Sequence, residues 1–290
     1  MKIRANFSGG RTSAWMSKIL REDKQYADDE ILFIYANTGK EKEATLEFVD
    51  RCDKEFGLNL VWVEAKVNPT LGEGTTHTVV DYATASRNGE PFESVIAKFG
   101  IPNQELIRCS QELKQRPMES YDEDHFRSNR VALGMRIDEI RRVQLASNEF
   151  IYPMVERNIT VRDVREFWNK MPFDLKLKDY EGNCDFCWKK SKRKLLSLAR
   201  ENPQGLKWWA KMERDYGFTH TVNQNARMAQ HQRGEASVFF RGKLSARGLL
   251  EQSMGDFIPI TDPHWRERAS DDMDKEEACL CSNSNELEDE

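Results

Sequence analysis

The 290-residue chain lacks a long apolar run, a leader segment and an internal repeat. No stretch approaches the roughly 18–20 apolar residues of a membrane span, so we expect no membrane segment. The first residues, MKIRANFSGG, include no apolar leader, which predicts a cytoplasmic protein. The five histidines show no HxxxH or other metal-ligand spacing.

Cysteine is also scarce. The six cysteines are Cys52, Cys109, Cys184, Cys187, Cys279 and Cys281. A chain of this length without a secretion signal seldom uses cysteines in disulfides, so reduced thiols, metal ligands and a catalytic thiol remain open. Cys52 falls within a helical pattern, and we expect it to be structural.

Charge is unevenly distributed, although the net charge is only −5. Residues 271–290, DDMDKEEACLCSNSNELEDE, contain nine acidic residues and one lysine, a net charge of −8. The first 270 residues therefore carry a net charge of +3, which is compatible with an anionic ligand without requiring one. We predict a flexible acidic tail over residues 266–290.

Strand and helix patterns alternate from the first residues onward. KIRANF, EILFIYANT and LNLVWVEAKV have the apolar, β-branched character of buried strands. TSAWMSKILRE and KEKEATLEFVDRCDKEFG place apolar residues at helical spacing, and the second helix is predicted to end at Gly57. This alternation predicts an α/β fold, with a doubly wound, mostly parallel sheet and helices on both faces.

The rest of the chain divides by composition. Residues 68–108 are rich in turn formers and predict an excursion or lid within an α/β domain over residues 1–155. SNRVALGMR and EFIYPMVE return to strand-like patterns. Helical patterns dominate residues 156–265, which predicts a smaller helical lobe carrying the CxxC motif of GNCDFCWKK.

NFSGGRTSAWM joins the first strand to the first helix. A glycine loop at such a junction brings backbone N–H groups to one point, where the helix dipole adds positive charge. Ser8, Thr12 and Ser13 add hydroxyl groups, and Arg11 carries a charge that complements phosphate. The loop matches neither the GxxxxGK[ST] Walker pattern nor the GxGxxG dinucleotide fingerprint. By itself it favours a phosphate site and a simple turn about equally.

SGGRTSA resembles the SGGxDS pyrophosphate loop of the PP-loop ATPases, in the branch similar to phosphoadenosine phosphosulfate (PAPS) reductases. Other segments resemble further blocks of that branch, in the same order. They are NTGKEKEAT for NTGxExxxT, RCSQELKQRP for CTxxLKxxP, LGMRIDEIRR for GxRxxExxxR, YPMVERNITVRDVREFW for the P-L…W…D-V segment, and GNCDFC for GCxxC. The resemblance covers two-thirds of the chain and implies an adenine nucleotide α-hydrolase-like fold. The SGGRTSA form also resembles phage and prophage proteins.

The resemblance implies a site for ATP or an adenylyl sulfate, accompanied by Mg²⁺. The nucleotide-binding residues it implies are Ser8, Gly9, Gly10, Arg11, Thr12, Ser13, Asn37, Thr38, Gly39, Gly134, Arg136, Glu139 and Arg141. Arg136 and Lys114 are implied as catalytic residues that offset the charge developing on the phosphates or sulfate. Thr12 stands where the family has an acidic residue, so phosphate binding is expected and ATP cleavage stays open.

The CxxC motif of Cys184 and Cys187 is compatible with a metal site, a redox dithiol or two buried thiols. Some members of the resembled family bind a [4Fe–4S] cluster through four cysteines. This implies Cys109 as the third ligand and Cys281, or Cys279, as the fourth. We favour the cluster narrowly over zinc. Reductases of the family attack with a tail cysteine, which would make Cys279 or Cys281 catalytic, but their ECGLH-type ending is absent.

The sequence therefore predicts an enzyme similar to PAPS reductases. It would bind a small-molecule nucleotide and carry out adenylation, sulfur-group transfer or reduction. A thioredoxin-like electron donor is the partner that reduction would require. A second hypothesis is a sulfur-modifying enzyme of nucleic acid, docked through the basic stretch KKSKRK. A third is a regulator that binds nucleotide or metal without catalysis, for which Thr12 is the strongest argument.

Overall fold

Six strands form one sheet in the computed structural model, which describes residues 1–70, 72–104, 106–143, 147–178, 180–219 and 234–261. The strands are β1 (Lys2–Phe7), β2 (Glu30–Asn37), β3 (Val61–Val67), β4 (Thr75–Val80), β5 (Arg130–Ala132) and β6 (Phe150–Ile151). Their spatial order is β4-β3-β2-β1-β5-β6, and every neighbouring pair is parallel except β3 and β4. The predicted α/β class with a mostly parallel sheet is confirmed.

Helices connect and cover these strands. They are α1 (Arg11–Glu22), α2 (Glu43–Phe56), α3 (Glu90–Phe99), α4 (Arg108–Ser110), α5 (Arg116–His125), α6 (Pro153–Glu156), α7 (Val161–Lys170), α8 (Lys192–Glu201), α9 (Leu206–Tyr216) and α10 (Ala246–Ser253). A π-helical turn, Gln111–Gln115, joins α4 to α5, and a 3₁₀ turn spans Ile137–Arg142. As predicted, α2 ends at Gly57, whose φ of 60° forms a left-handed cap. Within the described ranges, no helix has the length and apolar character to cross a membrane.

Different helices cover the two faces of the sheet. Side chains alternate along β2, so its residues contribute in turn to the core on each face. Phe33 and Tyr35 join a large core that includes Trp168 of α7 and side chains of α1 and α2. Leu32 and Ile34 point the other way, into a smaller cluster completed by side chains of α5. The sheet is therefore buried on both faces, as a doubly wound fold requires.

A further core lies among α3, α8, α9 and α10. Trp209 and Phe239 are fully buried there, with ring centroids 4.7 Å apart, and Phe92 of α3 packs against Trp209. This core also packs against Cys109 and Cys184. The helices that follow the CxxC motif therefore enclose one side of the cysteines.

Residues 68–108, predicted to form an excursion or lid, contribute β4 and α3. β4 pairs antiparallel with β3, from Val67 opposite Thr75 to Trp62 opposite Val80, and forms one edge of the sheet. The domain boundaries at 155 and 265 stay predictions. The predicted acidic tail lies outside the described residues.

Candidate functional site

The glycine loop lies at the carboxyl end of β1, where α1 begins. Gly9 has a φ of +79°, and a Cβ there would lie 2.9 Å from Cγ2 of Thr45, so the position strongly favours glycine. Gly10 is the N-cap of α1, and no side chain caps the helix. The Ser13 hydroxyl closes the loop instead, since it accepts the Ser8 backbone N–H at 3.0 Å and lies 2.8 Å from the Ser8 hydroxyl.

The backbone N–H groups from Gly9 to Thr12 have no acceptor within the part of the chain that the structure describes. Helical bonding starts with the N–H of Ala14, which donates to the carbonyl oxygen of Gly10 at 3.1 Å. The unpaired N–H groups lie at the positive end of the 12-residue helix α1, an arrangement that attracts phosphate oxygens. The geometry of the loop therefore suits an anion.

The loop after β5 approaches the same helix start. A Cβ added to Gly134 would lie 3.0 Å from Cα of Ser13, so the two backbones are nearly in contact. Because β2 and β5 flank β1 on opposite sides, the order of connections reverses at β1. The crevice between the loops after β1 and β5 is thus a topological switch point, the usual ligand site of open α/β sheets.

Arg136 reaches the glycine loop from this second loop. Its Nη1 donates to Oγ1 of Thr12 at 3.3 Å. The same guanidinium forms ion pairs with Asp138 and Glu139, each at 3.1 Å. The predicted phosphate ligand therefore lies beside the loop, with its charge shared between two carboxylates.

Arg11 is directed elsewhere. Its guanidinium donates to both oxygens of Asp174, at 2.7 and 2.9 Å, and to the carbonyl oxygen of Leu175 at 2.6 Å. Nε1 of Trp168 donates to the Arg11 carbonyl oxygen at 3.0 Å. These contacts tie the start of α1 to the segment after α7, so the Arg11 side chain is engaged by protein groups.

Asn37 ends β2, Thr38 and Gly39 follow it, and nearby carboxylates bind this segment. Nδ2 of Asn37 donates to Oε1 of Glu64 at 2.6 Å. Thr38 donates its backbone N–H at 2.9 Å and its hydroxyl at 2.8 Å to Glu41. The polar groups of Asn37 and Thr38 already bind Glu64 and Glu41. The segment would therefore contact a ligand mainly through the shape of its backbone.

The segment 182–187, GNCDFC, bridges the glycine loop and the end of β2. Nδ2 of Asn183 donates to the Ser8 carbonyl oxygen at 2.7 Å, and the Asn183 carbonyl oxygen accepts the Lys42 N–H at 3.0 Å. Glu41 and Cys184 form an isolated antiparallel bridge. The role of Asn183 was not predictable, because nothing in a Gly-Asn-Cys stretch reveals a partner 175 residues away.

Cys109, Cys184 and Cys187 line one cavity of about 40 Å³, several times the roughly 10–15 Å³ that a water molecule needs. Lys114 and Lys189 line the same cavity. The structure therefore brings together three of the four predicted metal ligands. The fourth, Cys281, and the alternative Cys279 lie outside the described residues.

The surroundings of these thiols disfavour their ionisation. Burial raises the pKa of Cys184 well above its ordinary value, and Cys187 and Glu41 raise it further. Burial likewise raises the pKa of Cys109, with Cys187 acting in the same direction and Lys189 opposing. The nearby lysines do not supply enough positive charge to keep these thiols ionised. A bound metal ion would supply that charge and stabilise the thiolates.

The spacing of the three sulfurs bears on the kind of metal. Tetrahedral zinc, with bonds of about 2.3 Å, holds its sulfurs roughly 3.8 Å apart. Across the described ranges, these three sulfurs do not all lie within 4.8 Å of one another. A [4Fe–4S] cluster binds each cysteine through a different iron and so spans a wider gap. Three thiols with a fourth cysteine form a donor set that suits either a [4Fe–4S] cluster or a zinc ion.

Two buried hydroxyl groups beside the glycine loop lack hydrogen-bond partners among the described residues. They are Tyr35 OH and Thr45 Oγ1. Both side chains border Gly9, where an added Cβ would lie 3.3 Å from the Tyr35 ring. Burial raises the pKa of Tyr35 well above its ordinary value, and the nearby Glu41 and Cys184 raise it further. Two unsatisfied hydroxyl groups therefore lie beside the glycine loop, and Tyr35 is also close to Cys184.

The remaining predicted cations have different settings. Arg141 is exposed on the Ile137–Arg142 turn, whereas Lys114 lies at the cysteine cavity. The basic stretch KKSKRK is largely buried, since Lys189, Lys190 and Arg193 are at most 8% exposed. Nζ of Lys190 donates to the carbonyl oxygen of Cys184 at 3.1 Å. Much of the stretch therefore supports the cysteine segment and does not form an exposed basic surface.

No model of a known protein family matches the chain. The chain is similar to the "Uncharacterized nin region protein ORF290" of Escherichia phage lambda, with 28% identity over 280 residues. The alignment covers 94% of this chain and 93% of the phage protein. The expected likeness to phage proteins thus extends over nearly the full length of both chains, and membership of the PP-loop family stays a prediction.

Proposed function

We propose that the chain binds an adenine nucleotide on the glycine loop and couples that site to sulfur or redox chemistry at the three cysteines. The observation that carries this proposal is the position of segment 182–187. Its Asn183 binds the Ser8 carbonyl oxygen, while Cys184 and Cys187 line the cavity. One short segment therefore contacts both centres, a link that an isolated structural metal site would not need.

The nucleotide part of the proposal rests on the unpaired N–H groups. The phosphates of ATP or an adenylyl sulfate would accept hydrogen bonds from Gly9 to Thr12, and Arg136 would contribute its guanidinium. Asp138 and Glu139, paired with Arg136, offer carboxylate oxygens of the kind that Mg²⁺ prefers. A Mg²⁺–nucleotide complex therefore suits this crevice better than a bare anion.

The two substrates imply different bond changes. With ATP, a nucleophile of the acceptor attacks the α-phosphorus, the bond to the bridging oxygen breaks, and pyrophosphate leaves on the loop amides. With an adenylyl sulfate, a thiolate attacks the sulfur and the S–O bond to the phosphate breaks. The nucleotide then leaves, and a dithiol donor releases sulfite from the S-sulfocysteine.

Cys109, Cys184 and Cys187 would hold a [4Fe–4S] cluster with Cys281 or Cys279, and the bound cluster would supply one-electron chemistry. The nucleic-acid hypothesis has less support, because much of the basic stretch proposed for docking is buried. The regulator hypothesis predicts nucleotide binding without release of pyrophosphate, whereas adenylation by ATP would release it.

The test is anaerobic purification followed by iron and sulfide analysis, a visible spectrum and calorimetric titration with Mg²⁺–ATP. We expect matched iron and sulfide, an absorbance near roughly 400 nm, and nucleotide binding. Cys184→Ala should lose the iron. Cys52→Ala is the matched control and should keep it, because Cys52 lies on the buried face of α2 and does not line the cavity. The proposal is overturned if the wild-type chain binds no nucleotide, or if it binds no iron.

A further inference from the structure

A cluster of potential metal ligands lies between β4 and α5. Thr75 and His77 both point from the edge strand β4 toward the face of the sheet that α5 and the turn before it cover. Oγ1 of Thr75 donates to Glu112 at 2.5 Å, and Nδ1 of His77 lies 2.9 Å from Oγ of Ser120 in α5. The pleat of the strand turns Thr76 to the opposite, exposed side. His77 is therefore held against the last turns of α5.

His77 meets Asp124 and His125 there. Each of the three residues offers a ligand atom, and these atoms all lie within 4.8 Å of one another. The rings of His77 and His125 have centroids 5.6 Å apart, and Tyr121 packs against both. A zinc-like ion with bonds of about 2.0–2.1 Å needs donors roughly 3.3 Å apart. Since Asp124 and His125 are exposed, small side-chain rotations close this difference.

The surroundings prepare His77 to act as a ligand. When Nδ1–H donates to the Ser120 hydroxyl, the lone pair of the ring lies on Nε2, the usual way in which a second group orients a metal-binding histidine. Burial lowers the pKa of His77; Asp124 opposes this, while His125 and Lys66 lower the pKa further. Helix α5 ends at His125, and its carbonyl end favours a cation.

We propose that His77, Asp124 and His125 bind one divalent metal ion of the zinc or nickel class, with solvent completing the coordination. Two imidazoles and one carboxylate form a donor set that these ions prefer over Mg²⁺ or Ca²⁺. The bound ion joins the edge strand β4 to α5, elements whose ligands are 47 residues apart in sequence. That separation explains why the histidines show no ligand spacing along the chain.

The test is calorimetric titration of the untagged chain with NiCl₂ at pH 7.5, together with thermal unfolding with and without the ion. Wild type should bind one equivalent at this site and gain thermal stability. His125→Asn and Asp124→Asn should each weaken this binding at least tenfold. Glu123→Gln removes the same charge from the neighbouring exposed position of α5, outside the cluster, and should change binding less than twofold.

The cysteine cavity is the competing location for the added ion. Cys184→Ala should keep the binding if the ion lies at His77. The proposal is overturned if wild type binds no nickel, or if His125→Asn and Asp124→Asn bind like wild type while Cys184→Ala loses the ion. The first outcome leaves the proposed nucleotide and cluster chemistry untouched, because it concerns a separate set of residues, and the second places the nickel at the cysteine cavity, which agrees with a metal site there.

Discussion

Alanine substitutions at the two adjacent glycines, Gly9 and Gly10, should separate folding of the loop from binding. Gly9 has a φ of +79°, where an alanine costs about 1–2 kcal/mol. Its Cβ would also lie 2.9 Å from Cγ2 of Thr45, which is fully buried and cannot move without disturbing the core. Overpacking of this kind costs about 1–3 kcal/mol. We therefore expect Gly9→Ala to lower the free energy of unfolding by roughly 2–5 kcal/mol.

Gly10→Ala provides the matched comparison. Gly10 has φ −106° and ψ 164°, an extended conformation that alanine adopts freely. The nearest heavy atoms to an added Cβ are Nδ2 of Asn183 at 3.6 Å and Oγ of Ser8 at 3.7 Å, both ordinary contacts. Restriction of the unfolded chain stabilises the variant by about 0.4–1 kcal/mol, and the poorer N-cap preference of alanine offsets roughly the same amount. The free energy of unfolding should therefore stay within about 1 kcal/mol of wild type.

The methyl group of Gly10→Ala lies at the helix start, where the phosphates would accept hydrogen bonds. We expect nucleotide affinity to fall at least tenfold, about 1.4 kcal/mol, although the fold is intact. Urea unfolding followed by tryptophan fluorescence measures the free energy of unfolding, and calorimetric titration with Mg²⁺–ATP measures the nucleotide affinity. Equal stability of Gly9→Ala and wild type would refute the packing argument. Unchanged ATP affinity in Gly10→Ala would refute phosphate binding at this helix start.

Two further predictions concern single ionisable groups. Burial raises the pKa of Glu213 to about 7, even though its carboxylate accepts the N–H groups of Phe239 and Ala246. Because the folded-state pKa lies above the unfolded value, the stabilisation is complete below about pH 4.5 and is lost as the pH rises through 7. The free energy of unfolding in urea should thus fall by at most about 3 kcal/mol between pH 5 and pH 8, and Glu213→Gln should remove that slope. Arg11→Gln should lower stability by about 1 kcal/mol through loss of the partly exposed pair with Asp174, and it should leave ATP affinity within twofold of wild type. A large loss of affinity would instead make Arg11 a phosphate ligand.

The first strands and helices were predictable because their signals are local. KIRANF and EILFIYANT carry the apolar content of buried parallel strands, and they form β1 and β2 nearly residue for residue. Gly57 marks the end of α2 because few other residues adopt its φ of 60°. β4 was not predictable in this way. The stretch TTHTVV has a single buried side chain and follows turn formers, so its place in the sheet depends on pairing with β3.

In the candidate site, too, features with a local sequence signal were predictable and features that depend on distant partners were not. The unpaired N–H groups of the glycine loop follow from a local strand-loop-helix pattern, whereas the grouping of the cysteines was implied only by a family resemblance. Partners distant in sequence carry no local signal. Arg11 binds Asp174 across 163 residues, and Asn183 binds Ser8 across 175. Such contacts arise when the helices after β6 pack against the sheet, and no spacing within either segment reveals them.

Threonine at position 12 fits the charge balance around Arg136. The guanidinium donates to Thr12 at 3.3 Å and already pairs with Asp138 and Glu139. An aspartate at position 12 would be a third carboxylate on one guanidinium, and the excess negative charge would repel phosphates at the adjacent loop. Thr12 keeps an acceptor for Arg136 without adding that charge, and Asp138 and Glu139 offer the oxygens that a metal–nucleotide complex needs. The departure from the acidic residue of the resembled loop is therefore not by itself an argument against nucleotide binding.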